Sequence, residues 1–241
     1  KAECLQVTGS FKVRGAAARL SALNDQERMH GVVSCSSGNH GRAVAYVAQK
    51  LGIPVSVCVP EWVDPVKLEG IKRDGAEAVL VGSTFDEAES HAFELSERTG
   101  RTYISAYDDP WVIAGQGTIA LEILGQLGES PAAILSPLSG GGLLGGIASV
   151  FAERTGDQRC RTVGVSAEKA AVMLASVKAG HPVELAEEKT LASALAGGIG
   201  LNNQHSFKLI KDLVRDHVTV TEEQISDAMR YCATALRLVV E

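Results

Sequence analysis

Aromatic residues make up only 5% of this 241-residue chain. No apolar run approaches the roughly 18 residues of a membrane helix. The first residues, Lys1-Ala2-Glu3-Cys4-Leu5, lack the pattern of a secretion signal, so a cytoplasmic location is expected. There is no block of basic residues either. With 23 Lys+Arg against 29 Asp+Glu the net charge is −6, and phosphate neutralisation needs a clustered basic face, so no nucleic-acid or membrane partner is expected. Cys4, Cys35, Cys58, Cys160 and Cys232 are odd in number and never spaced C-x-x-C, which fits reduced thiols better than a disulfide framework or a zinc site. Internal repeats and low-complexity linkers are also lacking.

What is present is aliphatic residues and glycine: 45% of the chain is hydrophobic and 25 residues are Gly. A sizeable core follows, and the length suits one large domain or two modest ones. Short β-branched runs alternate with longer helical patterns. Strands are expected at Val32–Cys35, Val55–Val59, Ala78–Val81, Thr102–Ile104, Ala132–Leu135, Thr162–Val165 and His217–Val220. Between them the spacing predicts helices over Arg42–Leu51, from the Asp64-Pro65 cap to about Asp74, from a Thr84/Glu87 capping box to about Thr99, and over Ile119–Leu127 and Leu143–Glu153. A Thr221/Gln224 capping box opens a last helix through about Leu236. Strands separated by helices must run parallel, with helices on both faces: an α/β fold.

Chemistry concentrates in a few motifs. In Gly9-Ser10-Phe11-Lys12-Val13-Arg14-Gly15-Ala16, a desolvated Lys12 near Arg14 could be a Schiff-base nucleophile; an ordinary surface lysine before a helix is the plain alternative. Ser36-Ser37-Gly38-Asn39-His40-Gly41 lies between a strand and a helix, where N–H groups and hydroxyls can meet a carboxylate; a capped turn without a ligand is the alternative, and His40 alone fits an orienting or packing role. Ser139-Gly140-Gly141-Gly142-Leu143-Leu144-Gly145-Gly146 has the make-up of a phosphate cradle. Gly140, Gly142 and Gly145 also satisfy G-x-G-x-x-G, with Glu168 as a ribose partner, so a dinucleotide stays open, as does a plain flexible loop. Pyridoxal phosphate engages all three motifs: an aldehyde for Lys12, a phosphate for the glycines, and a reacting amino acid whose carboxylate meets the serines.

Taken in order, GSFKVRGA, SSGNHG, VIAGQGTIALEIL (Val112 to Leu124) and SGGGLLGG resemble the threonine dehydratase and serine racemase family. The resemblance implies the fold of type II pyridoxal-phosphate enzymes, with two open, mostly parallel twisted sheets flanked by helices. A mobile small domain would span 31–108, with 1–30 and 109–241 forming the large domain. It also implies a chain truncated at both ends, with the partner of the pyridine nitrogen on a further segment. Gly197-Gly198-Ile199-Gly200-Leu201-Asn202 and SGGGLLGG look most like members labelled hydroxyectoine-utilisation dehydratases.

By matching motif, Lys12 would carry the cofactor covalently, Phe11 would pack beside its ring, and Asn39 would bond its 3′-oxygen. Ser139, Gly140, Gly141, Gly142 and Leu143 would hold its phosphate; Ser36, Ser37, Asn39 and His40 would receive the substrate carboxylate. Two departures stand out. Ser166 occupies a position where many relatives place an acidic cation ligand, so no metal site is expected. An arginine of serine racemases is replaced near Glu89, whereas Ser37 matches their second acid/base.

The expected activity is therefore dehydration of L-threonine or L-serine to a 2-oxoacid and ammonia by a homo-oligomer. Serine racemase is the alternative. A nicotinamide-dependent oxidoreductase or a non-catalytic binding module is more remote, since neither uses the full set of motifs.

Overall fold

The computed structural model describes residues 1–153 and 160–240. The chain separates into two compact units, Leu5–Ala106 and Lys1–Cys4 with Tyr107–Glu241. Residues 5–30, which the resemblance assigns to the large domain, group here with 31–106, because helix α1 (Lys12–Ser21) packs against α3 (Asn39–Leu51).

In the Leu5–Ala106 unit, β1 (Val32–Cys35), β2 (Val55–Val59), β3 (Glu77–Leu80) and β4 (Thr102–Tyr103) form a parallel sheet in the order β3-β2-β1-β4. β1 and β2 are buried along their whole length, which is why they read as continuous apolar runs rather than alternating ones. Their register sets Val32 beside Val55 and Cys35 beside Cys58. Val33, Cys35 and Cys58 make a core with Ala88, Ala92 and Leu95 of α5 (Phe85–Thr99). Caps define the connecting helices. Asp64 accepts the N–H of Val66 at 2.8 Å and opens α4 (Pro65–Arg73). Thr84 accepts the N–H of Glu87 at 3.2 Å, but the Glu87 carboxylate takes the N–H of Ser83 at 2.6 Å, so this box is displaced by one residue. Asn24 and Glu27 form a complete capping box at α2 (Asp25–His30), an element that the strand-and-helix reading passed over.

In the other unit, β5 (Ala133–Pro137), β6 (Arg161–Ala167) and β7 (Asp216–Val220) are parallel in the order β5-β6-β7. α6 runs over Pro110–Leu127, beginning well before the expected Ile119. Its start is another aspartate-proline cap: Asp109 accepts the N–H groups of Trp111 and Val112 at 2.8 and 2.9 Å. Gly115 and Gly117 interrupt the apolar periodicity that would have extended the reading to it.

α7 (Gly142–Ala152) crosses α6 with main chain nearly in contact. A Cβ on Gly146 would lie 2.8 Å from the Gly117 nitrogen, and one on Gly117 would lie 3.0 Å from the Gly146 oxygen. α8 (Val172–Ala179) and α9 (Ser206–Leu213) add Met173 and Ile210 to a core with Leu138 and Leu144. The final helix α10 (Glu222–Tyr231) has the expected Thr221/Gln224 box, then becomes a π-helical turn, Cys232–Leu236. Among the described residues all five cysteines are free, and no helix is long and apolar enough to cross a membrane.

Gly146→Ala overpacks the α6–α7 crossing and should cost about 1–3 kcal/mol. Gly125→Ala, on α6 with nothing within 4 Å of the added methyl, should stabilise the helix by about 0.5–1 kcal/mol. Urea unfolding of the two variants beside the parent chain should give shifts of opposite sign; like signs would contradict the close crossing.

Candidate functional site

Lys12 opens α1, with Phe11 as its N-cap residue, rather than preceding a helix. The residue is half-buried, its Nζ donates to the carbonyl oxygen of Ala106 at 2.7 Å, and Nζ lies 5.4 Å from the centre of the Phe11 ring. Burial strips water from the ammonium, and its pKa falls from the ordinary 10.5 to about 8. A lysine in this state offers a neutral amine near neutral pH far more often than a surface lysine does.

The Ser36–Gly41 stretch is both a turn and the first turn of α3, which starts at Asn39 because Gly38 takes the N-cap position. Ser36 Oγ accepts the N–H of Gly38 at 3.2 Å. Ser36, Ser37 and Asn39 are half-buried, whereas His40 is 3% exposed. Only glycine fits at 41: a Cβ there would run into the main-chain oxygen of Ser36 and lie 3.2 Å from Val57 Cγ1. The first bond of the helix ladder joins the Arg42 N–H to the Gly38 carbonyl, so the His40 and Gly41 N–H groups precede it.

The His40 ring is committed elsewhere. Its Nε2 sits 3.0 Å from the carbonyl oxygen of Ile104, and since a carbonyl only accepts, Nε2 carries the hydrogen. Ser34 Oγ donates to the same oxygen at 3.0 Å. Burial, and then the charge of Lys12, lower the His40 pKa from 6.5 to about 3, partly offset by the Ile104 bond. The ring is neutral, and Nδ1 is buried without a partner among the described residues. It therefore has no hydrogen left for a carboxylate; the main-chain N–H of His40 is what the turn can offer.

In the other unit, β5 leads through buried Leu138 into the glycine turn. Ser139 and Leu143 are half-buried, and Gly140, Gly141 and Gly142 are buried. Gly141 is left-handed at φ +85°. The first ladder bond of α7 is Gly145 N–H to Gly141 oxygen at 2.8 Å, leaving the N–H groups of Gly142, Leu143 and Leu144 outside it. A Cβ on Gly140 would come within 2.6 Å of Tyr107 Cδ1, and one on Gly142 within 2.7 Å of the Tyr107 oxygen. Ser166 Oγ, placed by β6, donates to the Leu138 carbonyl at 2.8 Å.

Residues 1–241 match the family described as pyridoxal-phosphate dependent enzyme. The chain belongs to that family. Within it, it falls in the threonine dehydratase and serine racemase group. It is 38% identical over its whole length to a putative threonine dehydratase of Sinorhizobium fredii, covering 72% of that protein. The processed form of threonine deaminase isoform 2 from Solanum lycopersicum superposes with a TM-score of 0.93 at 36% identity, over 100% of this chain and 69% of that one. Maize serine racemase gives 0.91 at 34% identity, over 99% and 71%. The chain spans between 46% and 72% of the length of four curated relatives that it matches.

The residues of this pyridoxal-phosphate enzyme fit its cofactor. Lys12 supplies an amine of lowered pKa, and the glycine turn supplies a Cβ-free cradle at a helix N-terminus for a phosphate. The G-x-G-x-x-G spacing of Gly140, Gly142 and Gly145 is as suited to a single phosphate as to a dinucleotide. Lys12, Phe11, Ser36, Ser37, Asn39 and His40 all belong to the Leu5–Ala106 unit, and Ser139–Leu143 to the other.

The sequence reading missed Ile104 and Ala106, whose carbonyls hold His40 and Lys12, and Ser34, whose hydroxyl donates to the same Ile104 oxygen; no motif marks a carbonyl. It also missed Tyr107, and Gln116, whose amide is buried without partners among the described residues; Gln116 lies inside the VIAGQGTIALEIL motif, which could have flagged it.

Between about pH 8 and 10.5 the folded amine of Lys12 is neutral while an unfolded one is charged. The unfolded chain then binds more protons, and stability rises with pH over that window. Peptide-resolved acylation of Lys12 in cofactor-free protein should rise through a midpoint near 8. A midpoint near 10.5 would show a solvated amine instead.

Proposed function

We propose that the chain carries the catalytic centre of an L-threonine/L-serine ammonia-lyase, which converts a small hydroxylated amino acid to a 2-oxoacid and ammonia. The observation that carries this reading is Lys12: a half-buried amine lowered to about 8, held at 2.7 Å by a main-chain carbonyl, within a chain similar over its whole length to threonine dehydratases. Pyridoxal phosphate, when bound, supplies an aldehyde for covalent capture of an amine and a conjugated ring that accepts the electrons of a Cα–H bond. Ser139, Gly140, Gly141, Gly142 and Leu143 would hold its phosphate, Asn39 would bond its 3′-oxygen, and Phe11 would pack beside the ring. Ser36, Ser37, Asn39 and the main-chain N–H of His40 receive the substrate carboxylate, aided by the positive end of α3.

Lys12 is the covalent anchor and then, with Nζ free, the base for the Cα proton. Its lowered pKa suits that second task, because a base poised near the working pH is unprotonated often enough to act. Closure of a mobile 31–108 domain, which would exclude water during this step, belongs to the same proposal, as do cytoplasmic residence and a homo-oligomeric state. The finer label, hydroxyectoine utilisation, is supported by Gly197–Asn202 and the SGGGLLGG form alone.

A second reading, serine racemase, is favoured by Ser37, which lies in the carboxylate turn and matches the second acid/base of racemases, and by the similarity to the maize enzyme. The two part in one assay. The intact parent protein, loaded with pyridoxal phosphate, should release 2-oxobutanoate from L-threonine with little D-serine from L-serine, and Lys12→Ala should lose turnover together with the lysine-linked absorbance. D-serine in excess would favour the racemase, and full activity of Lys12→Ala would exclude both. Ser37→Ala should spare elimination while removing any racemisation; equal loss of both would deny Ser37 a second-face role.

A further inference from the structure

We propose that Tyr107 and Asp108 are positioning residues that set the shape of the phosphate turn, an inference that rests on the reading of Ser139–Leu143 as that turn. Asp108 uses both carboxylate oxygens on one target. Oδ2 accepts the N–H of Gln204 at 2.7 Å, and Oδ1 accepts those of His205 and Ser206 at 2.8 and 2.9 Å. These are the donors at the start of α9, where a helix has no carbonyls of its own to offer them. The cap is supplied from a distant part of the chain, so it ties α9 to the segment that bears Tyr107. A carboxylate is also the group that the positive end of a helix favours.

The tie matters because both of its ends press on the glycine turn. From α9, Ser206 Cβ and Ile210 Cγ1 would lie 3.3 and 3.0 Å from a Cβ on Gly141, the left-handed residue of the turn. From the segment before α6, the Tyr107 ring covers Gly140 and the Tyr107 main chain abuts Gly142. Three consecutive glycines are thereby held between two walls, and the two walls are joined through the Asp108 carboxylate. Loss of that carboxylate would not unwind α9 by itself. Asn203 Oδ1 also accepts the Phe207 N–H at 2.9 Å, and its amide donates to the Ile199 oxygen at 3.0 Å. The expected consequence is a turn whose N–H groups are no longer aimed at one point.

The test uses the full chain with pyridoxal phosphate and two readouts: the dissociation constant of the cofactor, and the 31P resonance of its bound phosphate. Asp108→Ala should weaken cofactor binding by about tenfold or more and move the 31P signal toward that of free cofactor. The lysine-linked absorbance should survive at saturating cofactor, since Lys12 belongs to the other unit. Asp108→Asn, whose amide oxygen still accepts N–H bonds without the charge, should fall between, and it decides the matter if Asp108→Ala does not fold. Parent-like affinity and an unmoved 31P signal in a folded variant would overturn the proposal. So would loss of the lysine-linked absorbance with the 31P signal of the remaining bound cofactor unchanged. A parent protein that binds no pyridoxal phosphate would sink this inference and the proposed function together; one that binds it but turns over neither amino acid would sink only the reaction.

Discussion

At several places in this protein main chain approaches main chain, and glycine alone permits it. At position 41 a Cβ would meet the Ser36 oxygen, at 142 the Tyr107 oxygen, and at 146 the oxygen of Ile113 as well as the Gly117 nitrogen. Parallel strands require handovers from strand to helix, because each must be followed by a covering helix before the next strand can join the sheet. At two of these places, Gly41 and Gly142, the glycine sits in the first turn of a helix, α3 or α7, where N–H groups precede the first bond of the helix ladder. Packing and chemistry are thus met by one steric condition, and a methyl group at these places damages both.

The second constraint is electrostatic. Removing Lys12 from water disfavours its charge, while the Ala106 carbonyl returns part of the lost solvation; burial wins, and the amine comes to about 8. His40 lies close enough to feel that charge, and two cations so near one another and so poorly hydrated would be costly. The protein resolves this by keeping the imidazole neutral and fixing its tautomer on Ile104, where Ser34 also donates. Residues after β4 thus act as a carbonyl ledge for both side chains, although nothing in their own chemistry announces a functional role.

Much of the fold was legible in the sequence. The seven expected strands are all present, with ends shifted by no more than two residues, since short β-branched runs bounded by turn residues favour strands. Capping signals located α4, α5 and α10. The failures are equally physical. Glycines within α6 hid its first half; α8 has little amphipathic periodicity and owes its place to packing of Met173, whereas α9 is strongly amphipathic and was passed over.

The lysine, the serine-rich turn and the glycine turn were identifiable from residue types alone, because each chemistry needs particular atoms at a particular spacing. Local sequence thus determined the α/β order of elements, the helix caps and the identity of the reactive groups, all of which depend on neighbours a few residues away. The tertiary structure alone decided the lowered pKa of Lys12, the tautomer of His40, and the seating of the glycine turn against Tyr107 and α9. Those depend on which distant atoms exclude water or offer a hydrogen bond, and a carbonyl at Ile104 or Ala106 is chemically identical to any other until folding places it.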